Sequence, residues 1–176
     1  MDRNLRRLIE LTVTIVLILG FCANVMAKNK YEKEIDIEAS AVKLVQEVQR
    51  GGYDVVTTQE LKKWLDSGKE MVIVDAMPYK AYKKIHIPTA RQFLFPIPEM
   101  KTWDASETDQ KSTADYEALL GSDKNKVVVV YCGFVKCTRS HNAAVWAKKL
   151  GYNHVYRYPG GIFAWQGADY KTDKVK

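Results

Sequence analysis

The stretch that decides the fold is VVVVYCGFVKCTRSHNAA, residues 127–144. It begins with four valines and a tyrosine, an uninterrupted apolar run that predicts a strand buried on both faces of a parallel sheet. Two cysteines, Cys132 and Cys137, follow in a short segment, and the sequence from Arg139 onward predicts a helix. The stretch therefore predicts a strand, a loop with two thiols and a helix, in that order.

The flanking sequence alternates between strand and helix patterns. Further strands are predicted at MVIVDA (71–76), RQFLF (91–95) and HVYRY (154–158). Further helices are predicted at ADYEALLG (114–121), RSHNAAVWAKKLG (139–151) and GGIFAWQGA (160–168). Short apolar strands joined by helices imply an α/β fold of three layers, with a central parallel sheet flanked by helices. Ligands of such sheets bind at the carboxyl ends of the strands, where the two cysteines lie.

Residues 1–27 differ in character from the rest of the chain. Three arginines precede an apolar stretch from Leu11 to Met26, which ends in small residues before Ala27. This layout is typical of a secretory signal peptide. An uncleaved anchor in the inner membrane, through residues 8–27, is the alternative. We therefore expect an exported protein, in the periplasm or anchored at the membrane.

The remaining sequence divides into an N-terminal segment and one domain. Residues 28–52 predict a polar linker and an extra amphipathic helix, and residues 53–172 predict the α/β domain. The apolar face of the helix consists of Ile37, Ala41, Leu44, Val45 and Val48. The net charge is +6, but lysine and arginine are scattered among acidic residues, so no nucleic-acid partner is predicted.

The loop after the valine run has the chemistry of an anion site. A nucleophilic cysteine acts as a thiolate, and its pKa falls beside cations or at a helix N-terminus. Cys132, Lys136, Cys137 and Arg139 immediately precede a predicted helix, whose first N–H groups are unpaired. A loop that bends back over this terminus can hold a thiolate, persulfide, thiosulfate or phosphate. The pattern predicts anion-assisted sulfur chemistry without choosing the substrate.

Four motifs in order give the chain a family resemblance. VIVDA, HIPTA (86–90), VVVYC followed by RSHNAA, and YPGGIFAWQGA (158–168) together resemble the rhodanese, or sulfurtransferase, domain over residues 53–170. The resemblance implies a catalytic cysteine directly after a buried strand, at Cys132, and a loop whose backbone N–H groups face a persulfide or anion. The anion-binding loop comprises Gly133, Phe134, Val135, Lys136, Thr138 and Arg139. Asp75 and Ser140 are the supporting residues, and no metal or organic cofactor is expected.

The loop departs from the family pattern in its length. Rhodaneses place an arginine after four intervening residues, as C-x4-R, whereas six residues separate Cys132 from Arg139. The spacing also differs from the C-x5-R of rhodanese-like phosphatases. We therefore predict no phosphatase activity, because a phosphoryl group needs a well-placed guanidinium. Because Arg139 lies two residues further along than the family's arginine, we do not expect it to complete the family's usual ring of donors around a bound anion.

The second cysteine leaves three interpretations open. Cys137 could form a disulfide with Cys132, or attack a persulfide there and release reduced sulfur. It could be the nucleophile itself, since it is nearer the predicted helix. It could also simply fill a lengthened loop. A metal site using both cysteines and His141 is not expected, because structural zinc takes four ligands.

The sequence thus predicts a sulfurtransferase with a persulfide on Cys132. The sulfur donor is expected to be thiosulfate, polysulfide or a protein persulfide, and the acceptor a thiol or cyanide. The first alternative is a thiol redox or sulfur-relay module that uses Cys132 and Cys137. The second is a non-catalytic rhodanese-like module that binds a partner.

Overall fold

The computed structural model describes residues 29–175. The chain divides into two compact units, Met1–Asp36 and Ile37–Lys176, and the second contains the whole sheet. The predicted leader, residues 1–27, lies outside the described residues. In the part that is described, none of the helices is both long enough and apolar enough to cross a membrane.

Helices and strands alternate along the chain. The helices are α1 (Lys30–Gly51), α2 (Thr58–Asp66), α3 (Tyr79–Lys84), α4 (Thr113–Leu120), α5 (Arg139–Lys149) and α6 (Gly161–Gly167), with a 3₁₀ turn at Ala105–Glu107. The strands are β1 (Asp54–Val55), β2 (Met71–Asp75), β3 (Arg91–Gln92), β4 (Val127–Tyr131) and β5 (Val155–Tyr158). They form a five-stranded sheet in the order β1-β5-β4-β2-β3, with every pair parallel. The predicted α/β fold with a central parallel sheet flanked by helices is confirmed.

Strand β4 lies at the centre of the sheet and contributes to both cores. Val128 and Val130 pack in one apolar cluster, with side chains of α4 and α5. Val129 and Tyr131 pack in the other cluster, with side chains of α2 and α6. Successive residues of a strand point to opposite faces, so an all-apolar run suits a strand that is covered on both sides.

Helix α1 packs differently from its predicted apolar face. It begins at Lys30, so most of the predicted linker is helical. Leu44 and Val48 are half-buried, but Ile37 and Val45 are exposed. The residue that α1 buries most deeply is Glu47, only 2% exposed, because it forms an ion pair with an arginine of β5.

Candidate active site

Three parallel strands bring the predicted site residues to one edge of the sheet. Tyr131, the last residue of β4, is in register with Asp75 at the end of β2 and with Tyr158 at the end of β5. Residues 132–138, here called the active loop, continue from β4 and lead into α5. The structure therefore brings both cysteines and Asp75 to the carboxyl edge, as the sequence predicts.

The start of α6 fixes the first residues of the active loop. The backbone N–H groups of Ile162 and Phe163 donate to the carbonyl oxygens of Cys132 and Gly133, at 2.9 and 3.0 Å. Gly161 has a φ of +59°, and a Cβ built there would lie 2.2 Å from the Cys132 carbonyl oxygen. Only glycine permits both this backbone conformation and this close approach.

The thiol of Cys132 is enclosed by the loop and by α5. The residue is 1% exposed, and its Sγ lies 3.2 Å from the hydroxyl oxygen of Ser140. The Cys132 thiol can donate to the carbonyl oxygen of Cys137, 3.4 Å away, or to the Cys137 sulfur. Burial, followed by the neighbouring Cys137, raises the pKa of the Cys132 thiol well above its usual value. Cys132 is therefore a protonated donor at neutral pH.

Cys137 has the opposite electrostatic environment. It is half-buried, and a hydrogen bond from the Cys132 thiol is the largest cause that lowers its pKa. Backbone N–H groups of Arg139 and Gly133 also donate to its sulfur, and the charge of Arg139 acts in the same direction. Together these outweigh burial and lower the pKa of Cys137 to about 6. Cys137 is thus the thiolate of the pair at neutral pH.

The other predicted anion-binding residues have different roles. The guanidinium of Arg139 donates to the carbonyl oxygen of Phe95, in the segment after β3. Lys136 is exposed, and the hydroxyl of Thr138 lies 3.2 Å from the ammonium of Lys43 on α1. The side chain of Arg139 therefore holds the segment after β3, while the backbone N–H of Arg139, like that of Gly133, donates to the Cys137 sulfur.

An arginine of β5 that the sequence analysis did not identify holds the active loop through hydrogen bonds to its backbone. Arg157 of β5 is 0% exposed, and its Nη2 donates to the carbonyl oxygens of Val135 and Cys137, at 3.1 and 3.0 Å. Its Nε donates to the Ser140 hydroxyl at 3.0 Å. The sequence did contain a signal, because Arg157 lies inside a predicted strand. A guanidinium buried there requires hydrogen-bond partners, so Arg157 could have been predicted to bind a neighbouring polar segment.

The carboxylate that pairs with Arg157 comes from α1. Glu47 accepts from Nη1 of Arg157 and also from the ammonium of Lys43. Burial alone would raise the pKa of Glu47, but the hydrogen bonds from Lys43 and Arg157 outweigh it and hold the pKa below the usual value. The sequence signal was weak, because Glu47 lies among the apolar positions of an amphipathic helix.

Asp75 caps the turn after β2 and is buried next to the site. Its Oδ1 accepts from the Met77 backbone N–H at 2.9 Å. Its Oδ2 is buried and lacks a well-formed hydrogen bond, although the Tyr131 hydroxyl lies close enough to stabilise the charge. Burial raises the pKa of Asp75 to about 6, against 3.8 ordinarily, and the Cys137 thiolate contributes to the rise. This carboxyl is an additional titrating group beside the thiol pair.

Two exposed aromatic rings flank the active loop. Phe134 in the loop and Phe163 in α6 stack with their centroids 5.4 Å apart, and both side chains are largely exposed. Met77 approaches the loop as well, since a Cβ built at Gly133 would lie 3.8 Å from its sulfur. The loop thus has an apolar rim. Among residues 29–175, no group of three or more His, Cys, Asp and Glu side chains is placed to hold a metal ion.

The fold and this loop define the class of protein. The sequence profile of the rhodanese-like domain matches residues 57–168, which is more than half of the chain. The chain belongs to the rhodanese-like domain family.

Particular relatives are more distant. The probable adenylyltransferase/sulfurtransferase MoeZ of Mycobacterium tuberculosis is 27% identical over 111 residues, which are 62% of this chain. The matched part spans only 24% of the length of MoeZ. The chain is therefore similar to one portion of a larger protein that carries a sulfurtransferase name.

Solved structures with the same fold include a thiosulfate sulfurtransferase from Pseudomonas aeruginosa. It has a TM-score of 0.57 and 22% identity, over 78% of this chain and 23% of that one. The BH2092 protein from Bacillus halodurans has a TM-score of 0.56 and 20% identity, over 77% of this chain and 87% of that one. At these identities the similarity concerns the fold alone.

Proposed function

We propose that this chain is a sulfurtransferase that carries sulfane sulfur as a persulfide on Cys137. One observation carries the proposal: the Cys137 sulfur, with a pKa of about 6, is approached by backbone N–H groups of Gly133 and Arg139. These donors stabilise the thiolate, and they suit the equally anionic persulfide. The rhodanese-like family and the sulfurtransferase name of a relative support the same class.

The carrier differs from the one that the sequence predicts. Cys132 follows the strand directly, which is the family position, and its role as carrier stays a prediction. Its thiol is enclosed and protonated at neutral pH, whereas Cys137 is more open to solvent and ionised. Nucleophilic attack requires the thiolate, so the geometry favours Cys137.

The proposed reaction has two steps. The Cys137 thiolate attacks the sulfane sulfur of thiosulfate, the S–S bond of the donor breaks, and sulfite leaves with the bonding pair. An acceptor thiolate or cyanide then attacks the outer sulfur of the persulfide. This attack releases the Cys137 thiolate and yields a new persulfide or thiocyanate. Polysulfide or a protein persulfide can replace thiosulfate, with the shortened polysulfide or the free thiolate as leaving group.

A second candidate function follows from the contact between the two thiols. Cys132 donates a hydrogen bond to the Cys137 sulfur, so it is placed beside the inner sulfur of a persulfide formed there. Attack by Cys132 on that sulfur would expel hydrosulfide and leave a disulfide between Cys132 and Cys137. A reductant, such as a dithiol, must then restore both thiols. This is the sulfur-relay alternative.

Site-resolved mass spectrometry tests the proposal. The reduced chain is treated with thiosulfate or polysulfide, alkylated and digested with trypsin, which cleaves after Lys136 and so separates the two cysteines. We expect a gain of one sulfur at Cys137, lost in Cys137→Ser and retained in Cys132→Ser. An adduct lost only in Cys132→Ser would restore the sequence-based assignment. If the reduced parent chain gains no sulfur at either cysteine, the proposed sulfur transfer is contradicted and the partner-binding module is the remaining interpretation.

We also propose export, from the sequence of residues 1–27. The proposal includes a periplasmic location, with anchoring at the inner membrane if the segment is not cleaved. Cell fractionation, with the mass of the mature chain, tests both. A full-length chain in the cytoplasmic fraction would contradict export.

A further inference from the structure

A buried ion pair connects the N-terminal helix to the active loop. Glu47 and Arg157 lie 110 residues apart in the sequence, and both are almost completely buried. Glu47 belongs to α1, which precedes the segment matched by the rhodanese-like domain profile. The active loop is thus supported by a residue from outside the matched domain.

Arg157 contacts the active loop at two points and the first turn of α5 at a third. Two are the carbonyl oxygens of Val135 and Cys137, and the third is the hydroxyl of Ser140, which faces the Cys132 thiol. A trans peptide is planar, so its C=O and the following N–H point in opposite directions. When Arg157 holds these two carbonyls, the N–H groups of Lys136 and Thr138 point away from it. Arg157 therefore fixes the orientation of the Val135–Lys136 and Cys137–Thr138 peptides, and with them the position of Cys137.

Glu47 fixes Arg157 in turn. A fully buried guanidinium needs a carboxylate partner, because an unpaired buried charge is strongly unfavourable. Glu47 supplies that charge, and Lys43 bridges from Glu47 to the Thr138 hydroxyl at the end of the loop. Tyr53 completes the cluster, with its hydroxyl 3.4 Å from Nη1 of Arg157 and 2.7 Å from Nδ1 of His141.

We propose that Glu47 and Arg157 are positioning residues of the active loop, so that the last turns of α1 are part of the site. They act through the loop backbone and touch neither the reacting sulfur nor a substrate. The importance of this positioning role for sulfur transfer rests on the proposed function. The test below measures only the ionisation of Cys137.

The test separates loop positioning from simple charge. Arg157→Lys keeps the positive charge, but its single nitrogen carries three N–H groups and cannot serve Ser140, Glu47 and both carbonyl oxygens at once. Glu47→Ala removes a negative charge, which by direct electrostatics would lower the pKa of Cys137. If the pair positions the loop, both variants raise that pKa. We expect a rise of about one unit, seen as an approximately tenfold slower alkylation below pH 6.

Iodoacetamide alkylation of the full-length chain is followed against pH, and the tryptic peptides report Cys137 separately. Leu61→Ala is the matched control, because it also disturbs the buried core but lies in α2, in the apolar cluster that includes neither Cys132 nor Cys137. It should lower stability and leave the alkylation pH profile unchanged. If Glu47→Ala does not fold, Glu47→Gln replaces it, because it keeps the side-chain shape and also removes the negative charge. Direct electrostatics would again lower the pKa of Cys137, and loss of loop positioning would again raise it.

An unchanged or lowered pKa of Cys137 in folded Arg157→Lys and Glu47 variants would overturn the proposal. The outcome is independent of sulfur transfer. A chain that acquires no sulfur adduct, but whose Cys137 pKa rises in these variants, would refute the proposed function and support the positioning role.

Discussion

Arg157 and Cys137 meet through the backbone: Nη2 of the arginine donates to the carbonyl oxygen of the cysteine at 3.0 Å. The rhodanese pattern places an arginine at the end of the loop, but here six residues separate Cys132 from Arg139. The guanidinium of Arg139 binds the carbonyl oxygen of Phe95. Arg157, from the neighbouring strand, is the side chain that organises the lengthened loop.

Removing the Cys132 thiol should make Cys137 a weaker acid. The hydrogen bond from Cys132 is the largest cause of the low Cys137 pKa, so Cys132→Ala should raise that pKa from about 6. Alkylation of Cys137 at pH 6 should slow several-fold. Cys132→Ser is the control, because its hydroxyl can still donate, and it should give a smaller change. Equal alkylation pH profiles for both variants would contradict the prediction.

Adding a methyl group at Gly161 should displace the active loop. The new Cβ would lie 2.2 Å from the Cys132 carbonyl oxygen, and the φ of +59° adds strain. We expect Gly161→Ala to lose roughly 3 kcal/mol in urea unfolding, because overpacking adds to the backbone cost.

Gly151→Ala is the matched control for Gly161→Ala. Its φ is +88°, but a Cβ there has no neighbour within 4 Å, so it isolates the backbone cost. We expect a loss of about 1 kcal/mol and unchanged Cys137 alkylation. Equal losses for the two glycines would show that the close approach has no energetic effect.

Asp75 should make stability depend on pH between 4 and 7. Its folded pKa of about 6 exceeds the usual 3.8, so the folded state favours the protonated form. The benefit is complete below pH 4 and is lost as the pH rises through 6. The shift of about two units corresponds to roughly 3 kcal/mol. Asp75→Asn should therefore gain stability relative to the parent as the pH rises.

Chemical unfolding at pH 4 and pH 8 measures this difference. Asp54→Asn is the control, because it removes a carboxylate from an exposed position of β1. A stability difference for Asp75→Asn that is constant across this range would show that the carboxyl does not titrate there.

Loss of the Ser140 hydroxyl should lower the stability of the fold. Ser140 accepts from Nε of Arg157 at 3.0 Å and faces the Cys132 sulfur at 3.2 Å. Ser140→Ala leaves a buried guanidinium donor unpaired, which should cost about 1–3 kcal/mol. Ser67→Ala is the control, because that hydroxyl bonds the Trp64 carbonyl oxygen at an exposed site and should cost well under 1 kcal/mol. Chemical unfolding of both variants measures the two losses, and equal losses would contradict the prediction.

Sequence patterns were informative where the structure is local. The apolar run at 127–131 predicted the central strand, which the structure shows as β4. The strand predicted at 91–95 is shorter: β3 ends at Gln92, and Phe93 and Phe95 after it are buried in an aromatic cluster. The apolar pattern reports burial, and it cannot separate a buried strand from a buried loop.

The sequence by itself determined the α/β class, the family and the place of the active loop. These follow from apolar periodicity and from the order of motifs along the chain. The tertiary structure decided that Cys137 is the acidic thiol, that Cys132 is enclosed, and that Glu47 supports Arg157 behind the loop. The physical reason is that a pKa depends on burial and on donors from distant segments, which meet only when the chain folds.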